Sequence, residues 1–327
     1  DADLKAKSVQ LHAGSVEFDA EADTDWAHVQ VGIPAQFTVY NTLDAMACCW
    51  NLGVPLAECA DALARNHGVK GRMEIIPTPG RDYTILNDYS HKPDALENVL
   101  ESVNGFAKGR TVVLIPDKTL PYVSANLTYS GGDALLKPSE QGLSALVSNV
   151  LTKGTAKRSA TEMQAFLADR AAGLAASAGR KTFSVNLTTP ARFNKDLFDL
   201  LGEVVTAPAF SKDETARGIK DQIAAIKSRE DQPLGLAFRK LPPFLFPDSV
   251  YGYLQLGEPE NVQKYDEAQL RSFWNRQKAR PWVLAVSGDF DRDQILAFAK
   301  SLPAPDQRKV DVPVPAWGTR PELDIPM

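Results

Sequence analysis

The sequence of 327 residues predicts an α+β fold, because strand-like and helix-like stretches alternate in mixed order. Hydrophobic residues make up 44% of the chain and charged residues 24%, as in globular proteins. No stretch approaches the roughly 18 apolar residues of a membrane-spanning helix. The formal charge of -5 gives no electrostatic reason to expect nucleic acid. We therefore expect two or three globular domains, with neither a membrane nor nucleic acid as partner.

The first third of the chain predicts a small sheet followed by helices. Alternation of apolar and polar residues over residues 8–31 favours an antiparallel hairpin region. Helical spacing follows over residues 41–52 and 55–66, a strand at 83–86, and a further helix at 93–103.

The three cysteines lie on the two helices predicted first. Cys48 and Cys49 are adjacent on one helix and Cys59 lies on the next. A disulfide framework does not suit this spacing, and cysteine is among the most buried residue types. We expect three reduced thiols in a core.

Three strings in this third carry a family resemblance. FTVYN (residues 37–41), GVKGRME (68–74) and DYSHKPDALENVL (88–100) resemble the Mur ligases, which are ATP-dependent enzymes of peptidoglycan synthesis, and most closely the UDP-N-acetylmuramoyl-tripeptide synthetases. The resemblance implies the end of the central domain at residues 1–80 and the start of a Rossmann-like C-terminal domain at 81–111.

The same resemblance implies four residues of a nucleotide site. Asn41, Arg72 and Asp88 would face the nucleotide, and His91 would lie beside the domain hinge. An arginine can stack on a base and an aspartate can accept from ribose hydroxyls. Taken singly, an arginine such as Arg72 is more often a surface ion-pair residue and an aspartate such as Asp88 a helix cap. The chain has no G-x-x-x-x-G-K-[ST] phosphate loop, so we expect at most weak ATP binding and no ligase activity.

The remaining two thirds predict a sheet with many helices. Strand patterns lie at residues 111–115, 121–129, 182–188 and 282–286, and SATE at 159–162 is a capping box that starts a helix. The predicted helices cover residues 139–153, 159–172, 194–205, 212–229, 233–246, 266–277 and 292–300.

This segment resembles one module of the pitrilysin/insulinase metallopeptidase family, which includes the processing peptidases. The strings that carry the resemblance are GGDALL (131–136), GLSALVSNVLTKGT (142–155), SVYGYLQLGEPENV (249–262) and VLAVSGDFDRDQI (283–295). It implies an antiparallel-rich sheet covered by helices over residues 112–327. The fold expected for the whole chain is thus a Rossmann-like ligase fragment followed by a pitrilysin-type α+β module.

The zinc motif of the active family members is replaced in this segment. Active members carry H-x-x-E-H, in which two histidines bind zinc and the glutamate activates water. Those positions hold Ala145, Ser148 and Asn149, and the third ligand position falls near Asp221. We expect no zinc and no catalytic residue.

The composition differs between the two segments, which supports a junction between them. All four histidines and all three cysteines precede residue 111, and the net charge is -7 in residues 1–111 and +2 in the remainder. The junction lies within residues 108–117, which suit either family's strand.

Three functions follow from these resemblances. In the first, residues 112–327 are a non-catalytic half that encloses a peptide-binding chamber with an active, zinc-bearing half. The second is a ligase remnant that keeps part of a nucleotide site, and the third is an artefactual or engineered chimera without selected function. The first ranks highest because its segment is the longer. Three free cysteines and the lack of a signal sequence favour the cytoplasm of a bacterium.

Overall fold

The computed structural model describes residues 2–66, 68–80, 83–90, 93–107 and 110–306. The chain forms two compact parts, the N-terminal unit (residues 1–107) and the C-terminal unit (residues 108–327). Both combine helices with sheet, so the predicted α+β class is confirmed. Within the described residues, no helix is both long enough and apolar enough to span a membrane.

The N-terminal unit contains a three-stranded antiparallel sheet and a separate two-stranded hairpin. The sheet has the order β1 (Leu4–Leu11), β2 (Val16–Ala22), β3 (Trp26–Val31), and the hairpin pairs β4 (Glu74–Ile76) with β5 (Ile85–Asn87). The helices are α1 (Gln36–Asn51), α2 (Leu56–Ala64) and α3 (Pro93–Phe106).

The core of this unit forms where alternate strand residues meet the first two helices. Every second side chain of β3 is buried, and Phe18 of β2 joins Met46 of α1 and Leu56 of α2 in one apolar cluster. Asp25, in the turn before β3, accepts from the N–H of Leu56 at 2.9 Å. This bond satisfies one of the open N–H groups at the start of α2 and fixes the helix to the sheet.

The prediction of three core thiols is wrong for two of them. Cys48 and Cys49 are exposed, whereas Cys59 is buried. Met46 takes the buried position on this turn of α1. Cys48, two positions on, lies on another face of the helix. Cys49 lies near the buried Cys59 but keeps its own side chain exposed.

The C-terminal unit is built on a five-stranded sheet in the order β6-β10-β7-β9-β8. β6 and β10 are parallel, and the other neighbours are antiparallel. The strands are β6 (Arg110–Pro116), β7 (Tyr122–Ser130), β8 (Gly173–Ala178), β9 (Thr182–Pro190) and β10 (Trp282–Gly288). The helices are α4 (Leu143–Val150), α5 (Ala160–Ala168), α6 (Asn194–Thr206), α7 (Lys212–Glu230), α8 (Pro233–Leu245), α9 (Pro259–Val262), α10 (Glu267–Lys278) and α11 (Arg292–Ser301).

Helices cover one face of this sheet and bury alternate residues of its central strands. Tyr129 of β7 and Phe183 of β9 both contact Trp274 of α10, with ring centroids 5.9 and 5.3 Å apart. The indole N–H of Trp274 donates to the carbonyl of Val205 at 2.9 Å, so its polar atom is satisfied in the core. Burial of each such aromatic side chain stabilises the unit by about 2–3 kcal/mol.

Two elements predicted for the C-terminal unit differ from those in the structure. The helix predicted at residues 139–153 starts later, as α4, because Gly142 has φ +89° and stands at its N-terminal cap. The helix predicted at 159–172 ends at Ala168, and β8 follows where no strand was predicted. The sequence GLAASA of β8 has no β-branched or aromatic residue, so it carries no strand pattern.

We predict that Gly142→Ala strongly destabilises the C-terminal unit. A Cβ at this position would lie 2.5 Å from the carbonyl oxygen of Leu256, and φ +89° is costly for any other residue. The expected loss is about 3 kcal/mol in the free energy of unfolding, measured by urea titration with tryptophan fluorescence. Gly173→Ala is the matched control, since a Cβ there meets nothing within 4 Å and its change stays within about 0.5 kcal/mol. Equal effects of the two variants would contradict the close approach at Gly142.

Candidate functional site

Helix α4 carries the three residues that the sequence resemblance places at the metal motif. Ala145 and Ser148 are buried and Asn149 is exposed. The Ser148 hydroxyl donates to the carbonyl of Ala145 at 2.8 Å, within its own helix. None of the three side chains is an imidazole, thiolate or carboxylate, which are the ligands that zinc takes in proteins.

Helix α7 faces α4 with an amide rather than a carboxylate. The buried Gln222 donates through Nε2 to the carbonyl of Gly142 at 3.0 Å and to the carbonyl of Leu256 at 2.9 Å. Its neighbour Asp221 is exposed, on another face of α7. The described part of the chain contains no group of three or more His, Cys, Asp or Glu residues that could hold a metal ion. The expectations about Asp221 and zinc stay predictions.

Gly218 allows α7 to lie close to α4. A Cβ at this position would lie 2.7 Å from Cγ2 of Val150. The hydrogen bonds of Gln222 hold α7 near the start of α4, and the close approach at Gly218 holds it near the end of α4.

Asp133 is a buried carboxylate that joins α4 to the turn between β8 and β9. It accepts from the Ser144 hydroxyl on α4 and from the Arg180 guanidinium at 3.0 Å in the turn. Its own N–H donates to the carbonyl of Gly179 at 2.9 Å. Burial raises the pKa of Asp133, although the Ser144 hydrogen bond and the charge of Arg180 act in the opposite direction. The carboxylate therefore links α4 to one end of β8.

Strand β8 lies at an edge of the sheet, and among the described residues it pairs with β9 alone. The N–H of Gly179 donates to the carbonyl of Thr182 at 2.8 Å, so these two residues form a hydrogen-bonded pair. Such pairs occur at every second position of an antiparallel ladder. The N–H and C=O groups of Ala175 and Ser177 therefore point toward β9.

The intervening residues of β8 turn their backbone groups to the open edge. By the same alternation, the N–H and C=O groups of Leu174, Ala176 and Ala178 point away from β9. The carbonyl of Ala178 accepts from Gln255 Nε2 at 3.1 Å, which agrees with this outward direction. The side chains of Leu174 and Ala176 pack against the core, and this packing holds the edge strand in place. β8 can thus accept one more strand.

The N-terminal unit brings two of the predicted nucleotide residues close together. The Arg72 guanidinium lies over the Tyr89 ring, 5.8 Å from its centroid, and the N–H of Tyr89 donates to the carbonyl of Gly71 at 2.8 Å. The Asp88 carboxylate accepts from the N–H of Met73 at 2.9 Å and from Ser90.

The structure describes one of the other two predicted residues. Asn41 is exposed on α1, and His91 lies outside the described residues. Because the carboxylate of Asp88 is already bonded to the protein backbone, its role in this unit is to hold the two segments together.

Sequence reasoning missed Asp133, Arg180 and Gln222. A signal existed for Asp133, because an acidic residue directly after Gly131-Gly132 and before an apolar run is unusual in a buried strand-to-helix connection. The roles of Arg180 and Gln222 depend on contacts between elements distant in sequence, which no local pattern contains.

Comparison with known proteins supports the fold of the C-terminal unit. The family model of Insulinase (Peptidase family M16) matches residues 111–241. The peptidase M16 inactive domain of Pseudomonas fluorescens has a TM-score of 0.59 and 23% sequence identity, covering 64% of this chain and 52% of that chain. A protease of Helicobacter pylori has a TM-score of 0.56 and 16% identity, covering 64% and 52%. The chain thus contains an M16-type fold and spans about half the length of these structures.

Relatives of the N-terminal third belong to a different class of protein. UDP-N-acetylmuramoyl-L-alanyl-D-glutamate--2,6-diaminopimelate ligase 1 of Clostridium acetobutylicum is 37% identical over 112 residues, 34% of this chain and 23% of the ligase. The corresponding ligase of Halalkalibacterium halodurans is 35% identical over 115 residues, 35% of this chain and 24% of the ligase. The predicted resemblance of two segments to two unrelated families is confirmed.

We predict that Asp133 makes the C-terminal unit less stable as pH rises. A raised pKa means that the folded state holds the proton more tightly than the unfolded state, so stability falls from about the ordinary value of 3.8 up to the raised pKa. Asp133→Asn removes this titration. The difference in unfolding free energy, wild type minus variant, should therefore decrease with rising pH across that window in urea titrations. An increase with pH would show that the Arg180 ion pair outweighs burial.

Proposed function

We propose that the C-terminal unit is a non-catalytic, peptide-binding module of the M16 type, and that it encloses a chamber together with an active, zinc-bearing half. The module would hold an extended peptide as a further strand on β8. By the family resemblance, its own helix α4 carries Ala145 and Asn149 in place of two metal ligands and Ser148 in place of the glutamate base, so cleavage is assigned to the other half.

The open edge of β8 is the observation that carries this proposal. The N–H and C=O groups of Leu174 and Ala176 face away from β9, and no described strand pairs with them. An exposed sheet edge binds an extended peptide through main-chain hydrogen bonds, which do not depend on the peptide's sequence. The exposed residues of β8 are Gly173, Ala175 and Ser177, which are small and uncharged and leave room for a neighbouring strand.

The position of the edge also supports this function. α4 packs against β8, and Asp133 bonds to both α4 and the turn after β8. In an active module of the same fold, a peptide on this strand would lie beside the H-x-x-E-H helix. A module without the metal can therefore keep the peptide-binding part of the fold while the paired half supplies the chemistry.

We predict that Ala176→Pro abolishes peptide binding without unfolding the unit. Proline lacks the outward N–H of Ala176 and is tolerated at an edge strand when that N–H makes no bond within the sheet. Binding of a fluorescent extended peptide, followed by anisotropy, should weaken at least about tenfold, since the substitution removes one hydrogen bond and hinders the approach of the peptide backbone. Ala175→Thr is the control, because it changes an exposed side chain and keeps every backbone group. Unchanged binding by Ala176→Pro would refute strand addition at β8.

A weaker second function is adenosine-nucleotide binding by the N-terminal unit. The Arg72 guanidinium and the Tyr89 ring form an exposed cation–π pair on which a base could stack. The chain spans only about a quarter of the related ligases, so neither ligase activity nor their substrates are proposed for it.

We predict a small rise in the melting temperature of the N-terminal unit with millimolar ATP, because binding to the folded state alone stabilises it. Arg72→Ala should remove the rise, whereas Lys70→Ala, which removes a neighbouring positive charge, should keep it. Differential scanning fluorimetry is a suitable measurement. The same rise in both variants would show that ATP binds without the Arg72 and Tyr89 pair.

Failure of both binding experiments would favour a chimera without selected function, and the DNA flanking the source gene would then test whether the junction is natural. A cytoplasmic location remains part of the proposal because all three cysteines are free thiols.

A further inference from the structure

A cavity of about 330 Å³ lies between α7, α8 and the segment at residues 253–256. Its lining residues include the apolar Ile226, Phe238 and Leu254 and the basic Arg180, Arg229 and Arg239. The described lining contains no acidic residue. A space with an apolar wall and cationic groups favours a ligand that combines an apolar group with an anion.

The cavity lies beside the last residue of β8. Gln255 lines the cavity, and its Nε2 donates to the outward carbonyl of Ala178, the last residue of the strand. Arg180 follows two residues later and also lines the cavity. A peptide strand paired with Leu174 and Ala176 would therefore leave β8 at the point where the cavity begins.

The three arginines differ in how far their charge is compensated. Arg239 is nearly buried and forms ion pairs with Glu230, at 2.8 Å, and with Glu258, and Arg180 is paired with Asp133. Arg229 is exposed, and in the part of the chain that the structure describes its side chain has no ion-pair or hydrogen-bond partner. Arg229 is thus the cation that is available to an incoming anion.

Phe238 provides an apolar contact beside this cation. Its side chain lines the cavity although it is 64% exposed, and Leu234 and Leu241 on the same face of α8 are exposed at 68% and 39%. Burial of such a surface against an apolar ligand group is favourable, by about 25 cal/mol for each Å².

We propose that this cavity selects peptides that carry a carboxylate next to an apolar side chain where they leave β8, with Arg229 binding the carboxylate and Phe238 the apolar group. The proposal rests on strand addition at β8 and assigns a substrate class to it, namely acidic peptides. The arginine fork suits a carboxylate because two of its N–H groups can donate to both oxygens.

The test uses two amidated peptides of alternating threonine and valine that end in Phe-Glu or Phe-Gln, so that a single carboxylate distinguishes them. Fluorescence anisotropy should show that wild type binds the Glu peptide about tenfold more tightly, as expected for a charge-assisted hydrogen bond at a partly exposed site. Arg229→Gln should remove this preference. Lys227→Gln, which removes one positive charge from the same end of α7 outside the cavity, should keep it. Arg229→Glu should in turn prefer a peptide that ends in Phe-Lys.

The outcomes separate this inference from the proposed function. If neither peptide binds, or if Ala176→Pro leaves binding unchanged, strand addition fails and the cavity proposal falls with it. If both peptides bind equally and Ala176→Pro abolishes binding, strand addition stands and selection by Arg229 is overturned. If sedimentation shows a dimer that Phe238→Ser converts to monomer, a second copy of the chain occupies the cavity, and the proposal is likewise overturned.

Discussion

The buried carboxylate of Asp133 is the interaction on which the arrangement of the C-terminal unit depends. An ionised carboxylate in a protein interior is costly unless hydrogen bonds and an opposite charge compensate it. Here the Ser144 hydroxyl and the Arg180 guanidinium do so, and they come from two different elements, α4 and the turn after β8. The position of the open edge relative to the helix therefore follows from the need to satisfy one buried charge.

Local patterns predicted most elements of the C-terminal unit but not the parts that form its site. The capping box of Ser159 and Glu162 is present at the start of α5, because its hydrogen bonds involve neighbouring residues only. β8 was missed, since its residues form a strand through pairing with β9 and not through their own preference. The conformation of Gly142 was missed for a related reason, as it depends on the close approach of Leu256.

In the N-terminal unit too, sequence patterns did not predict the contacts that candidate residues make between segments. The family resemblance implied that Arg72 and Asp88 contact a nucleotide, whereas residue type alone favoured a surface ion pair and a helix cap. The structure shows Asp88 bonded to the backbone of Met73 and Ser90, a local structural role that depends on two segments meeting in space. Arg72 keeps an exposed face against Tyr89, and this pairing could not be read from either segment alone.

The small, uncharged surface of β8 has a consequence for the behaviour of the protein in concentrated solution. Natural edge strands usually avoid association through charged side chains, proline or bulges. β8 (GLAASA) has neither a charged side chain nor a proline. The nearest charges stand beyond its ends, at Arg170 and Arg180. When no ligand covers this edge, two copies of the chain can pair there backbone to backbone. Solubility should therefore depend on whether the strand is occupied.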